Sequence, residues 1–194
     1  SNGSENSIII VRSNKRANQY NQQIRKTILA HENKVCVGDL LMITKNNYFW
    51  TSPDSEIPFL ANGDIIQILE IFSFKDLYGF EFAEVKIKMV DYTDQPTFDT
   101  VIILNTLDID TPSLSYEQSN KLYHEVQNDY SSIKSKYKRF LKTNENPFFN
   151  ALQVKFSYAI TCHKAQGGQW PVVFLEKPYL KEGPNIDYFR WLYT

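Results

Sequence analysis

From Val35 to about Leu107 the chain is written in short alternating apolar and polar stretches, with a different rhythm on either side. The candidate strands are Asp39–Thr44, Asp64–Phe72, Glu81–Val90 and Thr100–Leu104. Asn46-Asn47, Asn62-Gly63-Asp64 and Tyr78-Gly79 supply the turn residues between them, because asparagine and glycine accept the backbone angles that tight turns need. Four or five short strands in about seventy residues predict a small β-barrel, most simply SH3-like, over 35–110.

The flanks read as α/β. Ser7 to Val11 (SIIIV) is an apolar, β-branched run of the kind buried in parallel sheets. A helix follows, with Ser13 or Asn14 as N-cap and Ala17, Tyr20, Ile24 and Ile28 at spacings of three and four. After the barrel, Thr111-Pro112 predicts a helix start, and Ser115 with Gln118 offers a capping box one turn later. Leu122, Val126, Tyr130, Ile133, Tyr137 and Phe140 form one apolar stripe of a long helix over 111–147, which Asn146-Pro147 ends. Val154–Ile160 reads as a strand, followed by a polar turn, a strand at Val172–Leu175, and a terminal helix through Tyr188–Thr194. The expectation is an α/β layer over 4–34 and 148–194, interrupted by the barrel and the long helix.

A formal charge of −1 conceals an uneven distribution. Residues 12–26 carry Arg12, Lys15, Arg16, Arg25 and Lys26 without an acid, and 134–164 carry seven basic groups against Glu145. Residues 53–99 hold ten acids against Lys75, Lys86 and Lys88. Two basic segments therefore flank an acidic middle. The cluster from Lys134 to Lys142 also suits the end of a helix, where positive charge complements the dipole. Cys36 and Cys162 are too few for a disulfide framework and match no zinc spacing, so no metal site and a reducing, cytoplasmic location are expected. No apolar run approaches the roughly 20 residues of a membrane span. Ser1-Asn2-Gly3 resembles a cloning scar, and the last residues read as a helix ending before any cap, so a longer parent protein is expected.

The densest chemistry lies in Tyr158–Glu176 (YAITCHKAQGGQWPVVFLE). Gly167 and Gly168 permit close backbone approach, while Thr161 and His163 can donate hydrogen bonds, which suits a phosphate-rich ligand at a sheet edge. This segment resembles motif V of superfamily-one helicases of the RecD-like and UvrD-like kind, through Thr161, His163, Gln166, Gly167 and Trp170; Gly168 and Gln169 are variants of that pattern. The run VRSNKRANQYNQQIR (Val11–Arg25) resembles motif IV of the RecD-like branch, and VGDLLMITKNN with FLANGD resembles the barrel inserted in RecD-like and Pif-like enzymes.

The resemblance implies a partial RecA-like domain of the P-loop NTPase type, interrupted by an SH3-like barrel and a long helix. It implies 5′→3′ movement on single-stranded DNA, with ATP and Mg2+ held between this domain and an N-terminal RecA-like domain. By the same carry-over Thr161, His163, Gln166 and Asn14 contact the DNA strand, and Gly167, Gln169 and Arg12 face ATP. Gln169 stands where the family usually has a glutamate on the ribose. The sequence holds no G-x-x-x-x-G-K-[ST] phosphate loop, no acidic metal-binding strand end and no motif VI arginine, so it is expected to have no catalytic residue and to bind no cofactor by itself. A different expectation, a non-catalytic SH3-like protein-interaction module of a larger DNA-repair protein, suits the acidic barrel. Tyr48-Phe49-Trp50 is an aromatic tip that suits either barrel core or base stacking. His31 and His124 are lone histidines that suit a surface position.

Overall fold

A computed structural model describes residues 6–92, 97–177, 186, 187 and 190. In chain order the elements are β1 (Ser7–Val11), α1 (Asn14–Thr27), β2 (Leu40–Ile43), β3 (Ile65–Leu77), β4 (Phe80–Met89), β5 (Phe98–Ile103), α2 (Tyr116–Asp129), α3 (Lys136–Asn144), β6 (Leu152–Phe156), β7 (Ala159–Thr161), α4 (Cys162–Ala165) and β8 (Val172–Leu175). Two compact units result, Ser1–His31 with Ser157–Thr194, and Glu32–Phe156. The fold is thus mixed, with a closed five-stranded barrel as its most distinct part. No described helix is long and apolar enough to cross a membrane.

The first unit is a parallel sheet in the order β7-β1-β8. β1 lies in the middle, which is why its isoleucines and Val11 form an uninterrupted apolar run. Ser13 caps α1, its side chain accepting from the Arg16 N–H. The buried face of α1 is Ala17, Asn21 and Arg25, not the expected line through Ile28, which is 73% exposed. Polar residues displace apolar ones here because the Asn21 carboxamide bonds β7 twice. Its Nδ2 donates to the Ala159 carbonyl at 2.9 Å, and the Ala159 N–H donates to its Oδ1 at 2.7 Å.

The second unit is the barrel β2-β3-β4-β5-β6 with α2 packed on it. Register shifts between Ile68 and Glu70 and between Ile71 and Ser73 bend β3, the longest strand, as closure of so small a barrel requires. Tyr78 and Gly79 both have positive φ, the backbone of a two-residue hairpin turn. Leu122 and Val126 of α2 meet Phe80, Phe82, Val101 and Ile103 in one buried cluster, so helix and barrel share a core.

Three expectations need correction. The run read as one strand from Val154 to Ile160 is two. β6 pairs with β2 and β5 and closes the barrel, while β7 belongs to the parallel sheet, and the break falls at Ser157-Tyr158. Residues 148–156 therefore lie in the barrel's unit. The helix expected from 111 starts later, at Tyr116, because its N-cap Ser115 and Gln118 satisfy each other's backbone N–H groups in a capping box. The long helix is two: α2 ends at Asp129, and Ser135 caps α3 anew by accepting from the Lys138 N–H. Tyr137 is consequently 70% exposed instead of extending the stripe. The expected terminal helix at 188–194 lies, apart from Arg190, outside the described residues.

Candidate functional site

Strand register decides where the chemistry gathers in the first unit. Val11 pairs with Thr161, and Ile10 pairs with both Ile160 and Leu175, so the three strands end together. The turn Arg12–Asn14 leaves β1 at that edge, and Thr161 ends β7 beside it. Arg12, Asn14 and Thr161 are thereby brought onto one carboxyl edge from segments nearly 150 residues apart. Ligands of open α/β sheets bind outside this edge, where loops carry the functional side chains.

Arg12 and His163 are exposed, and Thr161 is half-buried. Thr161 occupies the N-cap position of α4, yet its hydroxyl makes no capping hydrogen bond. His163 lies one residue into α4, with Nδ1 at 3.9 Å from Cys162 Sγ. Burial lowers the pKa of the neighbouring Lys164 ammonium.

Gln166, Gly167 and Gln169 are exposed on the segment that follows. Gly167 has φ +82°, a region that favours glycine, and no atom lies within 4 Å of where a Cβ would stand, so its backbone is open to a ligand. A Cβ on Gly168 would fall 2.1 Å from the Trp170 indole, so the ring lies against this glycine. β8 starts at Val172 opposite Ser7, at the amino edge. Residues 166–171 therefore connect α4 to the start of β8, and Gln169 lies three residues before that strand begins.

Two residues of the carboxyl edge carry no assignment from the sequence. The Arg16 Nε donates to Glu176 Oε1 at 2.7 Å, and its Nη2 bonds the same oxygen. The guanidinium also lies 5.1 Å from the Tyr20 ring centroid, and the Glu176 hydrogen bond raises its pKa. The Glu176 N–H donates to the Ile10 carbonyl at 2.9 Å, continuing the β8 pairing. Both residues were legible as charges. Their pairing depends on the parallel register of β1 and β8, which no local pattern announces.

Residues 156–194 match the family model described as the UvrD-like helicase C-terminal domain. The match begins at the last residue of β6 and includes β7, α4 and β8, so this part of the chain is similar to a UvrD-like helicase C-terminal region. No curated protein matches the chain.

Proposed function

We propose that the chain is the second RecA-like domain, carrying an inserted SH3-like barrel, of an ATP-dependent superfamily-one DNA helicase of the RecD-like branch that moves 5′→3′ on single-stranded DNA. The observation that carries this reading is the pairing of Val11 with Thr161, which sets the two motif-bearing turns side by side at a ligand-binding sheet edge. The helicase match over 156–194 covers one of those turns.

In this reading the Thr161 hydroxyl and the His163 imidazole donate hydrogen bonds to the strand's phosphates, with Asn14 and Gln166 beside them. The open backbone of Gly167 and the exposed Arg12 guanidinium fit a triphosphate, and Mg-ATP supplies the free energy that drives movement. Gln169, whose amide can accept from a ribose hydroxyl, lies on the segment between α4 and β8. The N-terminal RecA-like domain of the same protein supplies the phosphate loop. The edge of the first unit grips the strand, and alternation of grip between the two domains produces movement.

Fluorescence anisotropy with a labelled single-stranded oligonucleotide tests the reading. Binding should be weak, and each phosphate contact should add about 0.7 to the slope of log K against log salt. Thr161→Ala and His163→Ala should each weaken binding about fivefold, the worth of one ordinary hydrogen bond. Binding that ignores both substitutions contradicts the assignment. It would favour the second reading, a protein-interaction module, which the ten acids of residues 53–99 support.

A further inference from the structure

The barrel's unit contains a cavity of about 560 Å3 that the strand grip described above does not use. Its walls come from the turn after β2, from Leu114 with the first half of α2, and from the segment leading into β6. Five aromatic rings line it: Tyr48, Phe49, Tyr116, Tyr123 and Phe149. Lys45 is its one charged group among the described residues. No carboxylate lines it, although residues 53–99 of the same unit hold ten acids against three lysines. Lys45 and the absence of carboxylates set the cavity apart from the acidic 53–99 segment. It is this local lysine, not the charge of the barrel as a whole, that can meet a negative group of a ligand.

The polar groups divide by task. Asn47 donates to the Asn150 carbonyl, Asn46 accepts from the Asn62 N–H, and the Asn150 side chain donates to the Asn144 and Asn146 carbonyls. These bonds hold the walls. The side chains of Lys45, Tyr116, Ser119 and Asn120 have no such partner among the described residues and are left for a ligand. Two of the aromatic rings are well exposed. Tyr48, 66% exposed, stacks on Phe59 at 5.0 Å, and Tyr116, 81% exposed, is the first residue of α2 behind its capping box.

Exposed rings, a free carboxamide that both donates and accepts, and a single lysine match the three parts of a nucleotide: base face, base edge and phosphate. We propose that this cavity holds one unpaired nucleotide of a single strand, with the base against Tyr116 and Tyr48, its edge toward Asn120 and its phosphate at Lys45. The inference rests on the helicase reading for the source of that strand. It adds a second contact, on the barrel, to the grip at the sheet edge. A proline-rich peptide also packs on aromatic rings, but it makes less use of an unpaired carboxamide and lysine.

The test measures anisotropy of a fluorescein-labelled oligothymidylate with the whole chain and with Tyr116→Ala, Tyr116→Phe and Asn120→Ala, each checked for native circular dichroism. Tyr116→Ala should weaken binding on the order of tenfold, the effect of losing one stacked base, and Tyr116→Phe should not. Photocrosslinking with a bromodeoxyuridine oligonucleotide should label a peptide containing Tyr48, Tyr116 or Tyr123. If Thr161→Ala and His163→Ala weaken binding while Tyr116→Ala and Asn120→Ala do not, the cavity assignment falls and the sheet-edge grip stands. If only the cavity variants weaken it, the sheet-edge reading falls and the cavity remains. Crosslinks confined to 157–177, or a proline-rich peptide that binds where the oligonucleotide does not, overturn the proposal.

Discussion

The Asn21 carboxamide takes both backbone groups of Ala159, so Asn21→Ala leaves a buried N–H and a buried carbonyl without partners. Each orphaned group costs about 1–3 kcal/mol, and urea denaturation should show a loss of about 2–4 kcal/mol for the pair. Nearly unchanged stability would mean that water replaces the amide at that edge. Lys155 offers a second measurement. Its ammonium lies against the Ile109 carbonyl, and burial pushes its pKa down to about 8 while Asp108 and Asp110 pull the other way. The unfolded chain, with an ordinary lysine pKa near 10.4, then binds more protons than the folded one above pH 8. This group's contribution should therefore make stability rise between about pH 8 and pH 10.4, and Lys155→Met should remove that part of the slope in pH-dependent denaturation. At this scale the sequence was half legible. Thr161, Arg12 and Ser13 could be placed at strand ends because local patterns mark such ends. The partner of Asn21 lies 138 residues away, and that of Arg16 lies 160 away, so neither could be read before the strands were paired.

α3 shows what a correct pattern can still miss. Its residues continue the apolar spacing of α2, and neither glycine nor proline interrupts the stretch 128–136, so the periodicity reads as one helix. Serines at 131, 132 and 135 compete for backbone hydrogen bonds, and Ser135 starts a new helix. The break changes the meaning of the basic cluster. Lys136 and Lys138 now sit in a first turn that contains no acid, where positive charge opposes the helix dipole. Only Lys142 remains in a last turn, paired with Glu145 at 2.7 Å. Replacing Lys136 and Lys138 by glutamate should raise thermal stability by about 1 kcal/mol at low salt. Under the proposed function the same double substitution should weaken oligonucleotide binding, so the two readouts move in opposite directions. Strands were more legible than this helix pair. β1 was read to the residue and β2, β4 and β5 to within about two, because each is bounded by a turn or a charge. The β6–β7 break was hidden because Ser157 and Tyr158 lie between Phe156 and Ala159 with neither glycine nor proline to mark a turn.

In the whole molecule, each unit is assembled from parts that are distant in the chain. The sheet waits for β7 and β8 to meet β1, and the barrel waits for β6 to meet β2 and β5. The composition made the interruption visible, since the acidic, alternating middle differs from both flanks. It could not show which strand closes the barrel, because closure is a long-range pairing and no local signal carries it. Two polypeptides test the point: 32–156 should unfold cooperatively on heating, whereas 32–150, lacking β6, should show no cooperative transition. Equal transitions in both would mean that β6 is dispensable. During synthesis, the barrel emerges with the edges of β2 and β5 bare until Phe156 has been made. Bare edges recruit other strands, so the nascent chain passes through an interval in which its own last barrel strand competes with its neighbours'. Slow elongation through α2 and α3 would lengthen that interval. Yield from a living cell should therefore depend on the pace of translation across residues 104–151 as well as on the stability of the finished fold.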